Sequence, residues 1–134
     1  MFIKPSVKKT VVNLKELRVY LRSVKKFGKS TLFRDVILEE YGDAERGLLV
    51  GVGNEIGYKL LDELNTTHVM TWKDMEDLKK WLISAKGTEH NIEIVAFDVI
   101  DELIPIAEKE VCALSTRATG KTCQSVNAAF GGLN

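Results

Sequence analysis

Short apolar runs alternate with helix-period segments along this chain, and that alternation admits few folds. Residues 17–21 (LRVYL), Gly47–Val52 (GLLVGV), 68–71 (HVMT) and 92–97 (IEIVAF) have the length and side-chain chemistry of strands. Between them lie segments with the helical period. Lys29–Tyr41 places Leu32, Val36, Ile37 and Tyr41 on one face, and Gly42 stops it. A helical segment is expected around residues 56–64. Thr71 is placed to cap a further helix, with Asp74 in its first turn and Met75, Leu78 and Leu82 as its buried stripe, ended by Gly87. A last helix is expected over about 102–114, with Pro105 in its first turn, where a missing N–H does least harm. The pattern is that of a single α/β domain over residues 1–134, with helices on both sides of a largely parallel sheet.

The 134 residues, 45% of them apolar, suffice for a real core. No apolar run approaches the ~18–20 residues a membrane span needs. The start, MFIKPSVKKT, lacks the apolar stretch of a signal peptide, so a cytoplasmic protein with no membrane partner is expected. Cys112 and Cys123 are expected to be reduced and are too far apart for a CxxC motif. His68 and His90 have no cysteine nearby in sequence and are expected in ordinary core or surface roles. Residues 115–134 contain no acid and are rich in Ser, Thr, Gly, Asn and Ala; they read as a flexible tail, with a helical turn at 127–130. The chain stops at GGLN with no closing element, which suggests a fragment or a core completed by something else.

Net charge is zero but unevenly spread. Residues 1–34 hold ten basic side chains and one acid, Glu16, while the remainder holds nine basic and eighteen acidic ones. A basic arm of this kind suits nucleic acid or polyphosphate; it would equally neutralise the acidic remainder, within one chain or between copies.

The stretch Ser23-Val24-Lys25-Lys26-Phe27-Gly28-Lys29-Ser30-Thr31 lies between an expected strand and an expected helix. It matches the phosphate-loop pattern G-x-x-x-x-G-K-[ST] at Gly28, Lys29 and Ser30, with Ser23 at the leading glycine. Gly28 lets the backbone approach phosphate closely, Lys29 reaches the β- and γ-oxygens, and Ser30 is the expected Mg²⁺ ligand, with Thr31 a second hydroxyl. Gly120-Lys121-Thr122 carries the same signature, but it follows a helix and no apolar helix follows it; it reads as a decoy. An acid at the end of a neighbouring apolar strand is needed for the metal, and IEIVAFD supplies Asp98, with Asp101 and Glu102 close behind. Asp98 as a turn cap is the competing reading.

The order strand, GKST, helix, strand, acid, helix, strand, helix, strand ending in Asp98 resembles the RecA-like ATPase core. It is more similar still to the phage-encoded P-loop ATPases of that group linked to recombination, whose loop often carries an inner lysine, here Lys26. The resemblance covers nearly the whole chain but only the front part of such a core, a three-layer fold with a largely parallel sheet, truncated after the Asp98 strand and the next helix. It implies ATP and Mg²⁺ as ligands, with Ser23, Lys26, Phe27, Gly28, Lys29, Ser30 and Thr31 around the phosphates. It implies Glu55, after GLLVGVGN, as the acid that activates water beside Lys29; from the residues alone Glu55 equally caps the next helix. It makes Arg117 and Lys121 candidate contacts for single-stranded DNA, and self-association a candidate arrangement. Three functions remain in play: an ATPase of DNA recombination or repair, a non-hydrolysing nucleotide-binding scaffold, and a nucleic-acid-binding protein without nucleotide.

Overall fold

The computed structural model of the chain describes residues 16–24, 27–54 and 63–132. Among these residues, three helices, α1 (Lys29–Tyr41), α2 (Trp72–Ser84) and α3 (Leu103–Thr119), surround three strands, β1 (Gly47–Val52), β2 (Asn65–Val69) and β3 (Ile94–Asp98). Short 3-10 turns occupy Ala44–Arg46, Ile100–Glu102 and Val126–Gly131. The strands form one parallel sheet in the order β2-β1-β3. The class is α/β, as the alternation of periods predicts.

Every residue of β1 is buried, because the strand has a partner on each side and helices on both faces. On one face Leu48, Val50 and Val52 meet Val69, Ile92 and Ile106, packed under Trp72, Met75, Leu78 and Leu82 of α2 and Leu103 of α3. On the other face Ile37 of α1 packs with Ala44 and Leu64, joined by Phe33, Tyr41 and Ile94. Each fully buried Val or Ile contributes about 1.5–3 kcal/mol of transfer free energy. α1 and β1 have the limits expected from the sequence, with Gly42 as the left-handed cap of α1. The start of α2 is a complete capping box. Thr71 Oγ1 accepts the Asp74 N–H at 3.2 Å, and the Asp74 carboxylate accepts the N–H groups of Thr71 at 2.8 Å and Met70 at 2.9 Å. These bonds, led by the one from the Met70 backbone, hold Asp74 below the usual carboxylate range. α2 itself ends at Ser84, ahead of Gly87.

Several expectations are corrected. Residues 17–24, read as a first strand and its following loop, form no strand and stay exposed, with Val19 68% accessible. A strand needs a partner for its backbone groups, and this segment pairs with neither edge of the sheet. The strand placed at 68–71 runs instead over Asn65–Val69. Its β-branched Thr66 and Thr67 pair with β1, while Met70 and Thr71 give their N–H groups to Asp74 and so leave the ladder. β3 begins at Ile94 because Ile92 donates to His90 Nδ1 and Glu93 to the Arg46 carbonyl. Most notably, α3 continues past Leu114 to Thr119. Thr116 and Thr119 hydroxyls donate to the carbonyls of Cys112 and Ser115, one turn back, which accommodates polar residues that sequence assigns to a tail. Beyond Gly120 the chain folds back on α3: Ser115 Oγ, on a residue only 2% exposed, accepts the Phe130 N–H at 2.8 Å, and Thr116 Oγ1 accepts the Cys123 N–H at 3.1 Å. The helical segment expected at 56–64 lies mostly outside the described residues. Among the described residues, no helix is long and apolar enough to cross a membrane.

Candidate functional site

In parallel α/β sheets the carboxyl ends of the strands carry the ligand sites, where the strand order reverses. Here that place is the end of β1, which has β2 on one side and β3 on the other. Gly51 is paired with both His68 and Asp98. Directly paired residues of a parallel sheet share a face, so His68 and Asp98 flank a position that has no side chain. At ~4.8 Å per strand spacing the two backbones stand roughly 10 Å apart. This is also the face of Ile94, and therefore the face α1 covers.

Each strand end has its own device. β1 continues to Gly53, whose N–H donates to the Val69 carbonyl at 3.0 Å, and then turns in the left-handed region at φ 65°. The Gly53 carbonyl lies 2.6 Å from His68 Nε2. A carbonyl only accepts, so this bond puts the proton on Nε2. The Glu102 side chain lies directly against Gly53: a Cβ there would be 2.8 Å from the Glu102 carboxylate and 3.0 Å from its Cβ. β3 ends in Asp98, and Val99 follows at φ 61°. A β-branched residue rarely adopts that conformation, at a cost of about 1–3 kcal/mol, and such strain clusters where a turn is fixed for a purpose. The carboxylate of the half-buried Asp98 makes no hydrogen bond or ion pair among the described residues.

Gly53→Ala is expected to cost about 1–3 kcal/mol, since the new methyl meets both the left-handed backbone and Glu102. Urea unfolding checks this. Adding Glu102→Ala should recover only part of the loss, and a Gly53→Ala protein as stable as wild type would contradict the close approach.

The residues of the first Gly-Lys-Ser motif sit at the start of α1. Gly28 adopts φ 83°, and its carbonyl accepts the Leu32 N–H at 2.8 Å. No side chain caps this helix end and no acid stands in its first turn, so the first N–H groups face outward with the positive end of the helix dipole. Lys29 and Ser30 are half-buried, and Phe27 and Thr31 are exposed. Lys29 Nζ donates to Ser23 Oγ at 3.4 Å, which brings the two ends of the motif together. α1 finishes near the amino end of β1, since only the turn through Ala44–Arg46 separates them. Its start is one helix length away, about 20 Å. No hydrogen bond or ion pair among the described residues joins Lys29 or Ser30 to Asp98. Lys26 and Glu55 lie outside the described residues. Arg117, exposed in the last turn of α3, pairs with Glu110 at 3.2 Å, and Lys121 is exposed just past the left-handed cap Gly120. The second GKT thus follows a helix end, as its sequence context implies.

No family model, curated protein or solved structure matches the chain. Function therefore rests on this geometry. Sequence reasoning found Asp98 and noted Glu102, gave His68 only an ordinary core or surface role, and did not single out Gly51 or Val99. The alternating glycines at the end of an apolar strand, Gly51 and Gly53, were the available signal for a floor without side chains.

Proposed function

We propose that this chain is a Mg²⁺-dependent ATP-binding protein of the RecA-like type. The observation that carries the reading is Asp98 at the carboxyl end of β3, on the sheet face that α1 covers, its carboxylate without a partner among the described residues. The uncapped, acid-free start of α1 suits a phosphate group, which takes backbone N–H donors and the helix dipole together. In this reading Gly28, Lys29 and Thr31 hold the phosphates, Ser30 and Asp98 hold the metal, and Glu55 orients the attacking water. Bound Mg·ATP supplies the phosphoryl group. The chain's own part is to bind and align it. Arg117 and Lys121 remain candidates for contact with single-stranded DNA.

Binding without efficient turnover is the second reading, and one feature favours it: residues 17–24, which lead into the loop, are outside the sheet and exposed. A loop without a strand behind it holds phosphate less rigidly, and in-line alignment is what hydrolysis demands.

Asp98→Asn discriminates metal-linked binding from plain anion binding. It is expected to lower affinity for Mg·ATP at least tenfold while changing affinity for ATP with chelator less than twofold, measured by isothermal titration. Equal losses in both titrations would remove Asp98 from the metal site; no binding by wild type in either would end the nucleotide reading.

A further inference from the structure

Cys112 and Cys123 are eleven positions apart in sequence, yet their sulfurs lie 3.0 Å from each other. Cys112 is on α3, and Cys123 is on the return segment held to α3 by the Thr116 hydroxyl. Both are half-buried free thiols. Reduced sulfurs at this distance need to close by only about 1 Å to reach the ~2.05 Å of a disulfide. The partners are held there by other bonds as well: the Phe130 N–H to Ser115 Oγ, and the Cys123 sulfur to the Ser125 carbonyl at 3.1 Å. The thiols also line a cavity of about 440 Å³ shared with Glu108, Lys109, Gln124 and Asn127, so a small reagent can reach them.

We infer that Cys112 and Cys123 form a redox modification site that closes to an intramolecular disulfide when it meets a low-molecular-weight disulfide. One cysteine thiolate attacks a sulfur of the reagent RSSR, breaking its S–S bond and releasing one thiolate RS⁻. The second cysteine loses its proton to solvent and attacks the protein sulfur of the mixed disulfide. The protein S–S bond forms, the S–S bond to R breaks, and the second RS⁻ leaves. The two protein thiols are oxidised by two electrons and the reagent is reduced to two thiols. The hydrogen bond with Cys123 pushes the Cys112 thiol up, as do burial and the charges of Cys123 and Glu108.

The ring so closed contains Arg117, Gly120 and Lys121. Oxidation therefore fixes the exposed Lys121 turn against α3. The inference stands whether or not the chain binds nucleotide.

The test treats full-length protein with excess oxidised glutathione and reads intact mass, with a non-reducing peptide map. Wild type is expected to lose two hydrogens, to link Cys112 with Cys123 in one peptide pair, and to melt several degrees higher, the gain disappearing on reduction. Cys112→Ser and Cys123→Ser should each stop at one stable glutathione adduct. Wild type that stops at an adduct, forms disulfide-linked dimers, or stays fully reduced overturns the inference. Because mass and map are read on wild type, a misfolded variant does not blunt the result.

Discussion

Ile37→Ala is expected to lower folding stability by about 2–5 kcal/mol, the range for deleting a large aliphatic side chain from a packed core. Ile37 is 0% exposed and is the centre of the cluster on the α1 face, with Ala44 and Leu64. It also lies against Gly47, where even a methyl group would collide with its Cδ1. A glycine backbone cannot move in to fill the space an alanine leaves, so relaxation is limited and the upper half of the range is expected. The neighbouring Leu38 is 37% exposed, and Leu38→Ala should cost under ~1 kcal/mol. Urea unfolding of both variants decides the matter. If the two cost the same, α1 is not docked through Ile37.

Lys29→Ala should abolish the rise in melting midpoint that Mg·ATP gives to wild type. A ligand at a hundred times its Kd that binds only the folded state contributes about 2.7 kcal/mol. For a domain of this size that is a shift of roughly 8–10 °C. The apo midpoint should hardly move, because the amine makes one long bond, to Ser23 Oγ at 3.4 Å, on an exposed surface. Lys121→Ala serves as the matched control at the other GKT and should leave the shift intact. The reverse outcome, with Lys121 required and Lys29 dispensable, would move the phosphate site to the end of α3. A wild-type midpoint unchanged by Mg·ATP would reject nucleotide binding altogether.

Most of the framework was legible because it is written in local signals. The period of Lys29–Tyr41, the glycine after it, the run GLLVGV and the Thr71/Asp74 spacing each act within a turn or a strand. What sequence misplaced depends on partners far away. Residues 17–21 have the alternation of a strand, yet no strand among the described residues pairs with them. Ser115, Thr116 and Thr119 look like tail residues, yet side-chain bonds to α3 carbonyls and to the returning chain keep them helical. The site divides in the same way. Asp98 ends an apolar run and could be read directly. The pairing of Gly51 with both His68 and Asp98 is a matter of register, which the sequence of any one strand does not contain. The approach of the two cysteines likewise follows from the length of α3 and the turn beyond it.

Both strand pairings in the sheet are parallel, and this bears on how the chain comes off the ribosome. Neighbouring strands cannot zip together as a hairpin; each pairing waits for a crossover to be completed. Gly47 finds Ile94 only after nearly fifty further residues have been made. At ~5–20 residues per second, β1 spends several seconds without its second partner. During that interval its Leu-Leu-Val centre, buried along with the rest of β1 in the finished sheet, lacks the cover of that second partner. Slow, non-local closure of this kind makes the yield of native protein a contest between synthesis rate and self-association, decided before any ligand arrives.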